Sequence, residues 1–370
     1  LEAVAITLNV AAISPLVPGI AQGLNTSNYW AGRVIVAYLI PYGAMALVWG
    51  PLASRWSQRK LKIGALFCFC LFNLLCAFSF HIGFLLGARF LVGFFASAAI
   101  PLSLTFIGEL FPLERRGQGV GTLLSFTYSA TLAGIFLSGI LPWRALFFLP
   151  VLIGGIAWIL IYKYLPAEKA LTAAEIENQA SYWRVISSPW GWRIYSYLFM
   201  VSFFLTGLYS WMGVYMAQEL GFSQRSASWL MSSLGLGSIL GGFSGGRISD
   251  SIGRGRAIPW GLILVAVSII FFAYSKNPWW IASSLLGYGI GRSLNHSSLV
   301  TMLTDFPSDM RMKAASLNSA IIFAGGGLGA AMTEIFIRQS FFVTFVIYGL
   351  FIFLLGVIST PYFRLQENKS

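Results

Sequence analysis

The chain is divided into runs of about 20 apolar residues, the length a helix needs to cross the roughly 30 Å hydrocarbon core of a bilayer. Twelve such spans can be placed, near 1–22, 29–53, 62–80, 83–108, 118–140, 143–164, 194–217, 225–248, 257–275, 279–304, 313–337 and 340–362. Of the 370 residues 57% are hydrophobic and only 10% charged, with a mean hydropathy of +0.76, far from the roughly 25% charged residues of a soluble domain. A soluble protein is excluded, and the expected fold class is an all-α membrane protein. Cys68, Cys70 and Cys76 fall inside one apolar run, where they read as small buried hydrophobes and not as a disulfide or metal framework. No cleavable signal precedes the first span, and the abrupt start at Leu1 leads us to expect a few further residues on that side.

The net charge of +12 does not mark a nucleic-acid binder, because no soluble segment is large enough to present a basic cluster to a duplex. It marks one face of the membrane. With the N-terminus on the inside, inner segments carry 17 basic residues: Arg55, Arg59, Lys60, Lys62, Arg115, Arg116, Lys163, Lys169, Arg184, Arg193, Arg247, Arg254, Arg256, Arg311, Lys313, Arg364 and Lys369. Outer ends carry 5 (Arg33, Arg144, Arg225, Lys276 and Arg338), and Arg89 with Arg292, inside the membrane, complete the 24. The positive-inside rule then puts both termini in the cytoplasm and the chain in the cell's inner (plasma) membrane. The one long connection separates 1–164 from 193–370; within 165–192, Thr172-Ala-Ala-Glu175 is a capping-box pattern that predicts a short surface helix before Ser188-Pro189, the alternative being a loop.

The two halves repeat each other. Gln22-Gly-Leu-Asn-Thr-Ser27 matches Gln218-Glu-Leu-Gly-Phe-Ser223 at an offset of 196, and Gly50-Pro-Leu-Ala-Ser-Arg55 matches Gly246-Arg-Ile-Ser-Asp-Ser251 at the same offset. Phe111-Pro-Leu-Glu-Arg-Arg116 matches Phe306-Pro-Ser-Asp-Met-Arg311, shifted by one. A six-span unit duplicated in parallel orientation puts a pseudo-two-fold axis along the membrane normal and a ligand site between the halves at mid-depth.

These features resemble the major facilitator superfamily over essentially the whole chain. The family's loop signature, roughly Gly-x-Leu-Ser/Ala-Asp-Arg-x-Gly-Arg-Arg/Lys, is similar to the stretch Gly246, Asp250, Gly253, Arg254, Arg256, with Ser251 in place of Arg; the first-half copy keeps Gly50, Arg55 and Arg59 but has Ser54 in place of Asp. Pro15-Leu-Val-Pro18, Arg89 with Gly93, and Trp143-Arg144-Ala-Leu-Phe147 look like the twelve-helix drug/proton antiporter branch. The Gly-Pro pair of that branch's fifth helix is missing after Gly134 and Gly139. The resemblance implies two pseudo-symmetric six-helix bundles, a path lined by spans 1, 4, 7 and 10, a role for Arg89 in proton-linked switching, and gating by the loop motif.

An intramembrane charge needs a partner, a wet cavity or a ligand. Arg292 lies about 13 residues into span 10, close to mid-bilayer, with Asn295 and His296 at i+3 and i+4 on the same side. Arg292 reads as a binder of a substrate anion or carboxylate, the alternative being an Arg bonded to backbone carbonyls or a neighbouring helix. Arg89 alternatively packs and snorkels toward the outer interface. His296 titrates in the physiological range and is a candidate proton carrier, or else a neutral His bonded to its neighbours. Glu2, the one acid of span 1, is a second proton-carrier candidate beside Arg89. Tyr38, Tyr209, Trp211 and Tyr215 are candidates for a stacking wall, and Asn9 for a further polar contact, unless they pack or face lipid. Gly237, Gly241 and Gly245, like Gly325 and Gly329, read as seams for close helix packing. Gly242-Phe-Ser244-Gly-Gly246 fits a hydrolase nucleophile pattern, but that motif needs a strand-to-helix turn and a His/Asp relay, so no enzyme is expected.

The expectation is a monomeric secondary transporter working by alternating access, exporting a small anionic or zwitterionic amphipathic molecule against protons, with lipid, substrate and protons as its partners. No cofactor, metal or nucleotide site is expected, so the proton gradient supplies the energy. Alternatives are proton-coupled uptake of an organic anion and a non-transporting membrane sensor or scaffold.

Overall fold

A computed structural model describes residues 1–103, 116–165, 181–188, 191–303, 306 and 310–367; of the residues inside these helices, the side chains of Ser54, Arg55, 244–250 and Arg254, among others, fall outside the description. Among the described residues all regular structure is helical: α1 (Glu2–Ala11), α2 (Ile13–Gly23), α3 (Asn28–Arg55), α4 (Gln58–Ala77), α5 (Ile82–Ala96), α6 (Arg116–Ser138), α7 (Trp143–Tyr164), α8 (Tyr182–Ser187), α9 (Gly191–Gln218), α10 (Gln224–Ile252), α11 (Arg254–Tyr274), α12 (Pro278–Leu303), α13 (Arg311–Ile337) and α14 (Phe341–Glu367).

Eight described helices are long and apolar enough to cross a membrane by themselves, and α1 with α2 makes a ninth, broken span bent by 61°. The bend departs from the single helix expected over 1–22. Pro15 and Pro18 explain the weakness of this stretch, because neither ring nitrogen can donate to the carbonyl four residues earlier. The remaining long helices, α6, α10 and α12, are rich in Gly, Ser and Thr. They pack tightly on one another: a Cβ added at Gly241 of α10 would press on the Ile290 backbone of α12, and one at Gly235 would stand 2.7 Å from Cα of Leu132 in α6. Small residues let these backbones approach. The Gly242–Gly246 stretch lies within α10, as helix and not as a strand-to-helix turn.

Polar side chains start several helices, Ser27 capping α3 through the Trp30 amide and Ser223 capping α10 through Ser226. Gly253, with φ of +87°, makes the left-handed turn between α10 and α11 that a residue with a Cβ adopts only at a cost. The halves meet along three seams, α3 with α13, α6 with α10, and α2 with α9. The end of the bundle bearing the chain termini is here called the terminal end, and the opposite one the distal end. Residues 172–175, read as a helix start, lie outside the described residues; the described helix of the connection is α8, packed on α9 and α13.

Candidate functional site

Arg292 sits halfway along α12 and is exposed, although its neighbours Gly291, Ser293, Leu294 and Asn295 are buried. Its charge acts on the side chains of Tyr128 in α6, Tyr209 in α9, and Tyr288 and His296 in α12, so it faces the space where elements of both halves converge. Among the described residues no hydrogen bond or ion pair holds its guanidinium. Tyr128 comes from the N-terminal half, its buried hydroxyl interacting with Ser293 of α12. Tyr288 donates to the Leu205 carbonyl at 2.9 Å, and His296 is half-buried beside Arg292. A guanidinium with five donors and no acceptor of its own is equipped to take a carboxylate or similar anion.

Asn295 does not share that space. Its amide donates to the Tyr197 hydroxyl at 2.8 Å and to the Ile258 carbonyl at 3.0 Å, tying α12 to α9 and α11. Positions i and i+3 are about 60° apart around a helix, and here the angle separates an exposed residue from a packing one. Other candidates are likewise committed to protein contacts. Tyr209 donates to the Ala11 carbonyl at 2.7 Å, Trp211 to the Ala330 carbonyl at 2.9 Å and Tyr215 to the Ala273 carbonyl at 3.2 Å; Trp211 and Tyr215 are buried, and Tyr209 is half-buried.

Arg89 is fully buried and does not snorkel. It donates to Asn9 Oδ1 and to the Val34 carbonyl, and lies 4.4 Å from the centre of the Tyr38 ring. Asn9 donates to Asn73 at 2.7 Å, and Asn73 to the Phe69 carbonyl. Neutral dipoles and an aromatic face stand in for a counter-ion. Asn9 and Tyr38 thus belong to the interior of one half. Glu2 is buried in an ion pair with Lys62 at 2.8 Å, and Lys62 also reaches Ser103. Lys62, counted above with the inner basic residues, is therefore a buried partner of span 1.

On the distal side of mid-depth all three seams carry polar ties between the halves. Arg33 makes a two-pronged contact with buried Glu334 at 2.9 and 3.1 Å, and Arg338 joins the same carboxylate at 2.7 Å. Gln224 donates to the Ser138 carbonyl at 2.8 Å while Ser138 and Ser228 share a bond of 2.9 Å, and Ser14 donates to the Tyr209 carbonyl at 2.6 Å.

The family model of the Major Facilitator Superfamily matches residues 3–223 and 194–370, which together cover nearly the whole chain. The chain belongs to the Major Facilitator Superfamily. It is a multi-pass membrane transporter and not an enzyme, with the paired six-helix fold of this superfamily. The "Uncharacterized MFS-type transporter YwfA" of Bacillus subtilis (strain 168) is 26% identical over 355 residues, 90% of this chain and 84% of the relative. The "Multi-drug resistance efflux pump PmrA homolog" of Lactococcus lactis subsp. lactis (strain IL1403) is 27% identical over 300 residues, 75% of this chain and 72% of the relative. Among solved structures, a D-xylose-proton symporter superposes with a TM-score of 0.80 at 17% identity, covering 97% of this chain and 94% of the other.

Of the superfamily's loop motif, Gly50 and Arg59 are described, Arg59 donating to the Tyr162 carbonyl of α7, and Gly253 makes its turn. The side chains of Arg55, Asp250 and Arg254, and any contact of Gly246, lie outside the description. Three elements escaped the sequence reading: Tyr128, Glu334 and the Asn73 that completes the Arg89 network. Glu334 carried a usable signal, as an acid inside span 11 one helical turn before Arg338.

Proposed function

We propose that this protein is a proton-driven exporter of a small organic anion or zwitterion, working by alternating access, with Arg292 as the group that binds the anionic end. The observation that carries the reading is the contrast inside the membrane between Arg292, exposed between the halves and unpaired among the described residues, and every other described intramembrane charge, each held by protein. Charge left without a protein partner at such depth is costly, and a ligand anion offsets that cost. Tyr128, half-buried beside it, adds an aromatic surface suited to an amphipathic ligand. Export is supported by the relative named as an efflux pump. The positive-inside count supports cytoplasmic termini in an inner membrane, making the closed distal end the outer one. The repeat and the three seams support two bundles over 1–164 and 193–370, joined by 165–192 and functioning as a monomer.

Proteoliposomes loaded with a panel of organic anions test this directly. An imposed proton gradient should drive anion flux, Arg292→Ala should abolish it in a protein that still folds, and Arg292→Lys should restore little because the two-pronged geometry is lost. Normal flux in Arg292→Ala would remove the site assignment. His296→Gln should displace the pH dependence of flux more than it changes binding at one low pH; an unchanged profile would return His296 to a structural role.

A further inference from the structure

We infer that Tyr182 and Tyr209 are paired latches, each closing one end of the path by donating its hydroxyl to a carbonyl that a proline in the opposite half has set free. A proline nitrogen carries no hydrogen, so the carbonyl four residues before it loses its usual helical donor. Pro15 does this to the carbonyl of Ala11, and Tyr209 of α9 supplies a replacement at 2.7 Å. Pro51 does it to the carbonyl of Leu47 in α3, and Tyr182 of α8 supplies a replacement at 2.9 Å. Both donors move with the C-terminal half and both acceptors with the N-terminal half. One bond lies on the distal side of mid-depth, next to the Ser14–Tyr209 tie; the other lies toward the terminal end.

The surroundings of Tyr182 show a built seat. A Cβ added at Gly50 would stand 3.1 Å from the Tyr182 hydroxyl and 3.6 Å from Ser316 Oγ, so glycine at the head of the loop motif leaves the room that the ring tip occupies. Ser316 of α13 interacts with the same hydroxyl, and the Lys313 ammonium lies 4.8 Å from the ring centre. Short as it is, α8 is fixed to α9, with Ser188 bonded to the Val185 carbonyl and the Gly191 amide. The connection between the halves thereby contributes a side chain to the terminal-side seam. A tyrosine hydroxyl has one proton to give. Rocking apart at either end breaks one latch at a cost small enough to be reversible, since a net hydrogen bond shifts a two-state population by about two- to tenfold.

The inference rests on the alternating-access reading but not on the substrate. Pulsed electron-spin distance measurements test it, with Cys68, Cys70 and Cys76 replaced by Ser and labels at Lys60→Cys with Ser196→Cys for the terminal end, or Asn25→Cys with Lys276→Cys for the distal end. Tyr182→Phe keeps the ring and should lengthen the terminal pair alone, and Tyr209→Phe the distal pair alone. Pro51→Ala gives the Leu47 carbonyl a competing amide, so it should act like Tyr182→Phe, and the double variant should add little. Two distance populations in the parent protein that ignore Tyr182→Phe, or a Tyr182→Phe effect spread equally over both pairs, would overturn the latches alone. A single narrow population at both ends, moved by neither pH nor any variant, would overturn alternating access with them.

Discussion

Arg89 and Arg292 sit in the fourth span of each half, one residue type in two related settings, and the structure treats them in opposite ways. Arg89 is sealed among Asn9, the Val34 carbonyl and the Tyr38 ring, whereas Arg292 stands exposed between the halves with no described partner. A buried charge satisfied by fixed neutral dipoles belongs to the scaffold, and one left unsatisfied at mid-membrane is available to a ligand. The contrast can be broken most sharply through stability. Arg89→Ala strands the Asn9 oxygen in a dry interior at about 1–3 kcal/mol and removes the packing against the Tyr38 ring, so the melting temperature of the purified protein should fall by several degrees. Arg292→Ala should leave it within about one degree, as substitutions that remove no packed partner do. Equal losses in the two variants would erase the distinction.

The two ends of the bundle offer a smaller contrast. Glu334, held by Arg33 across the seam and by Arg338 from its own chain segment, is the described carboxylate that joins the halves. Glu334→Gln keeps the shape and removes the charge, and it should raise labelling of distal-end cysteines by impermeant reagents about tenfold. Unchanged labelling would show that the Ser138, Ser228 and Gln224 ties close that end without it. On the terminal side the effect should be weaker. The superfamily resemblance implies that the motif's Asp faces the N-terminus of a helix in the opposite half, where a carboxylate contributes about 0.3–1 kcal/mol, so Asp250→Asn should raise terminal-end labelling about two- to fivefold and Ser54→Asp should lower it. If Asp250→Asn changes nothing, the loop motif does not lock this protein and closure falls to Tyr182.

Much of this arrangement was legible in the chain, for physical reasons that also set the limit. Span length is dictated by bilayer thickness, so the spans and the repeat could be read directly, and glycine seams such as Gly237-to-Gly241 could be read from spacing along one helix. Arg292 stood out because a charge deep in an apolar run has no local escape. What could not be read were partners distant in sequence: Arg33 and Glu334 are 301 residues apart, and Arg89 and Asn9 80. Helical spacing put Asn295 beside Arg292, yet tertiary packing turned it to Tyr197 and Ile258. Nor could the backbone partners of Tyr209 and Trp211 be read, because an aromatic side chain carries no sign of which carbonyl it will find. The break in the first span was half visible, its prolines plain but its 61° angle not a quantity that local sequence specifies.

The central claim, that Arg292 binds the anion, is tested most directly by ligand-induced stabilisation of the purified protein, because a ligand that binds the folded state raises its stability by mass action. Screening organic anions against matched neutral analogues should yield anions that raise the melting temperature of the parent protein and of Arg89→Lys but leave Arg292→Ala unmoved. An anion that stabilises Arg292→Ala as strongly as the parent protein would contradict the account, and would place the binding site away from the middle of α12.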